Sequence, residues 1–331
     1  MKRIIFPLFL FLLSPTFLPG QDVREENVFQ DTIHTEVDIF EEMAPMDFTL
    51  TFDMKEQQRK KNSDEYLPAE LAVHLNDSSE VIKQVRLKAR GQFRKKTCHY
   101  SPFWLNIKKA DIENEYLQDV KKMKVVTRCR SGSDYDDYVL LEYLAYKIYG
   151  LLTPHSFRTR LISMKYVDTG RKNKVTESWA FLIEPEGMLA ERFEGIAIKN
   201  DALSMALMRK DEMMLAAMFQ YLIGNCDYSI TGRHNMKILG LPGFGSEGYT
   251  PVPYDFDYAG FVNASYAVPG ESLGITSVTQ RYYMGRCGSE TEYNAAIQKL
   301  VDHREEILEL IQGFPYLGEN ARRDAIGYIE S

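Results

Sequence analysis

Four oxygen-bearing side chains follow one another in the C-terminal half of this chain: Asp227, Asn235, Asp255 and Asp257. They stand in Gly-Asn-Cys-Asp-Tyr-Ser-Ile-Thr-Gly-Arg-His-Asn at 224–235 and in Val-Pro-Tyr-Asp-Phe-Asp-Tyr-Ala-Gly at 252–260. Oxygen ligands in this order suit a hard divalent cation, which proteins usually hold together with phosphates. Phosphoryl transfer asks for little more than a held nucleotide, a bridging metal and a carboxylate that orients or deprotonates the acceptor hydroxyl. Asp227, just past a long apolar segment, is the candidate for that last role. Asn235, with Asp255 or Asp257, is the candidate metal-ligand set. Read as an alternating strand, 252–257 points Asp255 and Asp257 the same way. A plainer reading makes Asp227 a turn cap and the other two exposed loop residues. The apolar neighbours Val252, Tyr254 and Phe256 weigh against it, because a carboxylate in apolar surroundings is costly unless paired or metal-bound.

The elements that would aim these groups can be read from periodicity. Phe48, Leu50 and Phe52 share one face of an alternating segment, as do Leu71, Val73 and Leu75, and then Val85, Leu87 and Ala89. These are strands of an antiparallel sheet, with 54–65 a surface loop and 90–96 a basic turn. Residues 103–108 and 124–127 are further strands, and 160–167 pairs with 178–184 around a polar loop. Tyr138–Tyr149 carries Leu141, Leu144, Ala145 and Ile148 at helical spacing, and Ala202–Ile223 is a Met- and Leu-rich helix stopped by Gly224. A hairpin joins 238–239 to 252–256 across a Gly-rich loop. Ser289 with Glu292 forms a capping-box pattern before a helix over 291–311, and a short helix covers 319–329. Strands first and helices later is α+β order.

With that order in hand, Tyr-Leu-Ile-Gly-Asn-Cys-Asp at 221–227, His-Asn-Met-Lys-Ile-Leu at 234–239 and Pro-Tyr-Asp-Phe-Asp-Tyr-Ala-Gly at 253–260 resemble the spore coat protein H (CotH) kinase family. Arg90-Gly91, Lys95-Lys96 and Ala180-Phe181-Leu182-Ile183-Glu184 fit that family's order of elements, so the resemblance runs over roughly 85–315. It implies a two-lobed atypical kinase-like fold, with an antiparallel-sheet N-lobe over 46–184 and a mainly helical C-lobe over 185–331. It also implies Asp227 as the catalytic carboxylate and Asn235 with Asp255 or Asp257 as metal ligands. Arg90, Arg94 or Lys96 would contact phosphates beside Gly91. Lys108 or Lys124 would be the lysine held by Glu142, and Ala180–Glu184 the hinge that holds a base. There are departures. Asp227 and Asn235 are eight positions apart, wider than in ordinary protein kinases, and no His-Arg-Asp or Asp-Phe-Gly occurs. The spacing Gly243, Gly245, Gly248 fits a phosphate-loop pattern, but it lies between Asn235 and Asp255 and reads as the hairpin loop.

The remaining signals bound the setting. Met1-Lys2-Arg3 followed by an apolar run to Leu13, then Pro19-Gly20, has the layout of a secretory signal peptide over 1–20, and 21–45 reads as a flexible lead-in. No later segment has the length of a membrane span. Cys98, Cys129, Cys226 and Cys287 allow three disulfide connectivities or four reduced thiols. The net charge of −7 does not favour nucleic acid, yet 83–130 holds fourteen Lys and Arg against four Asp and Glu. Such a segment suits a phosphate-rich ligand or is a solvated strand face. The expectation is an exported kinase, periplasmic or at the surface, using ATP with Mg or Mn on a protein acceptor. The alternatives are a nucleotidyl or amino-acid transferase, or a non-catalytic pseudokinase.

Overall fold

Alternating strands with one apolar face must hide that face, and here they do so by closing on themselves. The computed structural model describes residues 39–40, 44–76, 79–107, 122–199 and 203–331. The segments read as signal peptide and most of the lead-in, together with Lys108, lie outside the described residues. The described residues belong to one unit, Glu36–Ser331.

Seven strands form a closed barrel: β1 (Met46–Phe52), β2 (Leu67–Asn76), β3 (Ser79–Ala89), β4 (Phe103–Ile107), β5 (Lys122–Thr127), β6 (Thr159–Asp168) and β7 (Lys174–Ile183), in the order β1-β2-β3-β4-β5-β7-β6. The seam is a parallel pairing of β1 with β6, Met46 opposite Ile162 through Phe52 opposite Asp168. Phe48, Leu50, Phe52, Leu71, Val73, Val85 and Leu87 all point into the barrel core, as their alternation requires. On β4, Phe103, Leu105 and Ile107 point inward while Trp104 and Asn106 face out.

This corrects the expected antiparallel-sheet lobe followed by a helical lobe. The barrel is mixed and closed, helices occur from Met54 to Glu330 among the described residues, and the C-terminal part has its own three-stranded sheet. The physical reason is that an open sheet leaves two rows of unpaired backbone groups, and joining β1 to β6 removes both. Local alternation cannot show that pairing, because the two strands lie more than a hundred positions apart.

Short segments read as loops are helical: α1 (Met54–Lys60) is capped by the Asp53 carboxylate, which accepts from Glu56 N–H, and α2 (Gln92–Thr97) replaces the basic turn. The helix α3 (Ser133–Leu152) carries acids in its first turn and is buried along most of its length, because β5–β7–β6 pack on one side and C-terminal elements on the other. After α4 (Glu186–Glu191) and β8 (Ile196–Ala197), α5 (Lys210–Leu222) starts later than its Met-rich sequence suggests; a 3-10 turn at Met205–Leu207 precedes it. The small sheet orders β10 (Thr250–Pro253), β9 (Met236–Gly240) and β8, and the Gly-rich loop within it holds a one-turn helix, α6 (Phe244–Glu247). The expected helix over 291–311 is two, α7 (Glu290–Asp302) and α8 (Arg304–Gln312), broken at His303; α9 (Glu319–Glu330) follows. The capping box is formed in full, with Ser289 and Glu292 each accepting the other's backbone N–H. Among the described residues no helix is long and apolar enough to cross a membrane.

Candidate functional site

Two loops carry the carboxylates, and backbone hydrogen bonds lace them together. The first follows α5. Gly224 turns the chain at φ +65°, a region that favours glycine, and any Cβ there would collide with the Tyr328 hydroxyl. The second follows β10. Gly260 N–H donates to Gly224 C=O at 3.1 Å, Phe261 N–H to Ile223 C=O at 3.0 Å, and Tyr254 N–H to Asn235 C=O at 3.1 Å. The ends of β9, β10 and α5 thereby converge on one spot.

Asp227 stands half-exposed at the first loop. Its N–H donates to Asn225 Oδ1 at 3.0 Å, and the buried Asn225 is itself held by Gln220 at 3.0 Å. His234 Nε2 lies 2.8 Å from Asp227 Oδ1. Asn235 Nδ2 donates to Asp227 Oδ2 at 3.0 Å and to its main-chain carbonyl at 2.7 Å. Both amide hydrogens of Asn235 are thus used on Asp227, and the amide oxygen is its remaining polar atom. Arg233, Asn235 and Asp255 all adopt positive φ, so three of the seven non-glycine residues with that geometry among the described residues cluster in these two loops. Such backbone costs energy and persists where surroundings hold it.

The strand argument for Asp255 and Asp257 is corrected: β10 ends at Pro253, and Asp255 sits in the left-handed region at φ +66°. Its N–H donates to the hydroxyl of Tyr146 on α3 at 2.8 Å. Among the described residues its carboxylate accepts no hydrogen bond. Asp257 is buried, accepts from the Tyr266 hydroxyl at 3.1 Å, and lies 3.7 Å from the Arg94 guanidinium. Burial, then the neighbouring Asp255 charge, pushes the Asp257 carboxyl up to about 6 against the pull of Arg94. Arg94 reaches in from α2, lies 3.7 Å from Glu142 on α3, and donates to the Thr127 carbonyl. Glu142 is buried and pushed well up, first by desolvation and then by Asp257. The ion partner of Glu142 is therefore Arg94.

Cations gather on the barrel side of this acidic group. The Lys124 ammonium is enclosed by aromatic rings, 4.4 Å from the Tyr254 centroid and 5.8 Å from Trp104. Desolvation, then Arg90 and Lys237, brings its pKa down to about 7, while Asp255 pulls the other way. Arg90 lies 5.9 Å over Trp104, and Lys237 sits 5.6 Å over Tyr254 and 3.2 Å from Glu186.

The structure thus brings Asp227, Asn235, Asp255, Asp257, Glu142, Lys124 and Arg90 into one region. Lys96 lies exposed on α2. Glu184 is fully buried, bound by Arg158 at 2.8 and 3.0 Å and by Arg192 at 2.9 and 3.0 Å. Sequence reasoning assigns no site role to Tyr146, Tyr254, Tyr266 or Lys237. The aromatics look like core residues, whereas Lys237 has a signal, a charge between the apolar Met236 and Ile238 two positions past Asn235. Among the described residues no group of three or more His, Cys, Asp and Glu is arranged to hold a metal by itself. Cys98 and Cys129 form a disulfide joining the end of α2 to the end of β5, whereas Cys226 and Cys287 are free.

No family model matches this chain, and no curated protein matches it. Among solved structures, a proinflammatory kinase of Helicobacter pylori, CtkA, is similar at 10% sequence identity with a TM-score of 0.40, over 81% of this chain and 90% of that one. A similarity of that degree decides neither fold nor function.

Proposed function

We propose that this chain is a metal-dependent phosphotransferase that moves the γ-phosphoryl group of ATP to a hydroxyl on a protein, as its motif-level resemblance to CotH kinases implies. The observation that carries the reading is the arrangement of Asn235. It holds Asp227 by its nitrogen and keeps its oxygen for another ligand, beside Asp255.

The residues fit a divalent ion that phosphates help to hold. Mg²⁺ is usually held by one or two carboxylates plus substrate phosphates, so a full protein cage is not required. Asn235 and Asp255 would hold it; Asp257 is already engaged by Tyr266 and Arg94 and acts as the buried anchor of α2 and α3. When bound, the ion supplies charge neutralisation on the transferring phosphates. Lys124 and Arg90 would meet phosphate oxygens as charge-assisted donors. Asp227 would receive the acceptor's hydroxyl proton as that oxygen bonds to phosphorus and the bond to ADP breaks. His234 would orient the Asp227 carboxylate. The Cys98–Cys129 disulfide supports export, because disulfides persist mainly in oxidising compartments.

The test is thermal unfolding with ATP, with and without Mg²⁺ or Mn²⁺, for the protein and for Asp255→Ala, followed by mass analysis of modified protein. A ligand at ~100 times its dissociation constant adds ~2.7 kcal/mol to the folded state. A metal-dependent rise lost in Asp255→Ala, with a phosphate added to product, is the expected result. A nucleotidyl or aminoacyl mass would make it another transferase, and no rise with any nucleotide would make it a non-catalytic module.

A further inference from the structure

A nucleotide needs a place for its base, and the expected place is closed. β7 is interior to the barrel: Ile183 pairs with Lys124 on one side and Thr159 on the other. Beyond it, Glu184 N–H donates to Arg158 C=O at 2.9 Å, and its carboxylate is held by Arg158 and Arg192. Backbone groups consumed in this way offer no edge to a base.

The outer face of β3–β4–β5 offers something else. Lys88, Trp104 and Lys124 stand opposite one another across the three strands, and Arg86, Asn106 and Lys122 form the next row. Arg90 lies 5.9 Å, Lys122 4.2 Å and Lys124 5.8 Å from the Trp104 ring centroid. One half-exposed indole therefore sits among three cations, and one of them, Lys124, is in the electrostatic field of Asp255. Lys122 is exposed, and a base stacking on Trp104 would displace its ammonium from the ring. The geometry points to Trp104 as the stacking platform for the base of a purine nucleotide whose phosphates lie at Lys124 and Arg90. This presupposes the nucleotide reading and adds where the base lies. An indole face reads the π-surface of a base and not its hydrogen-bonding edge. Adenosine and guanosine nucleotides should therefore bind within a few-fold of each other.

The other chromophore of its kind, Trp179, packs on Tyr316 at 4.8 Å, and the protein has only these two tryptophans. In a Trp179→Phe background, fluorescence reports Trp104 alone. Titrations with ADP, GDP and inorganic tripolyphosphate, each with Mg²⁺, should show quenching by both nucleotides and little by tripolyphosphate. Calorimetry on Trp104→Leu should show nucleotide affinity down about tenfold and tripolyphosphate affinity unchanged, with Trp104→Phe recovering most of the loss. Equal loss for nucleotide and tripolyphosphate, no loss at all, or a hundredfold preference for one purine would overturn the stacking site while leaving phosphate binding intact. If the unmutated protein binds neither probe, the nucleotide reading itself falls, and the stacking site with it.

Discussion

His234 Nε2 lies 2.8 Å from Asp227 Oδ1, while Asn235 Nδ2 holds Oδ2 at 3.0 Å. Both oxygens of the candidate base are thus fixed by residues adjacent in sequence, at the end of a loop of unusual backbone. Because a carboxylate only accepts, a neutral His234 donates from Nε2 and keeps Nδ1 as a basic atom.

Asp227→Asn keeps the shape of this arrangement and removes the base. Transfer should fall by roughly 10²–10⁴-fold with little change in melting temperature, measured by phosphate incorporation and thermal unfolding. His234→Gln separates two roles. A loss of about tenfold marks an orienting histidine; a loss as deep as that of Asp227→Asn places the imidazole in the path of the proton.

Arg94 neutralises two buried carboxylates, Glu142 and Asp257. Arg94→Met leaves both without a countercharge and should destabilise by about 3–5 kcal/mol in urea unfolding. Combining it with Glu142→Gln should recover part of that loss. Equal stability of Arg94→Met and the unmutated protein would show that the bridge contributes nothing.

Lys124 gives a pH signature. Its folded pKa is depressed to about 7 from an ordinary value of 10.5. Between those values the unfolded chain binds more protons, so this residue makes stability rise with pH from about 7 upward. Lys124→Met should therefore be more stable than the unmutated protein below pH ~7, with the gap closing toward pH ~10. Nucleotide affinity should move the opposite way, weakening above pH ~7 as the ammonium is lost, and that dependence should vanish in Lys124→Met.

The Asp257 carboxyl, pushed up to about 6 mainly by burial, works with the contrary sign. From its ordinary value up to about 6 the folded state binds the extra proton, so stability should fall as pH rises through that range. Asp257→Asn should flatten that slope in denaturant titrations at pH ~4 and ~6.

The Cys98–Cys129 disulfide ties α2, and with it Arg94, to the end of β5. Reduction or Cys98→Ser/Cys129→Ser should cost about 2–4 kcal/mol of stability. If α2 is positioned by that tether, nucleotide affinity should weaken in the same variant.

What the sequence by itself determined is what neighbours along the chain decide. The inward faces of β1, β2 and β3, the capping box at Ser289 and Glu292, the core of α3 and the order Asp227, Asn235, Asp255, Asp257 all follow from local periodicity and side-chain type. Tertiary structure decided what depends on contacts between distant segments. The parallel seam of β1 on β6 turned an expected open sheet into a barrel. The left-handed turn at Asp255 displaced a strand argument because Tyr146 on α3 receives its N–H. Arg94 rather than a lysine became the partner of Glu142 because α2 brings its guanidinium to the middle of α3. A buried charge takes whichever countercharge the packed chain delivers, and no spacing within a sequence records which one that is.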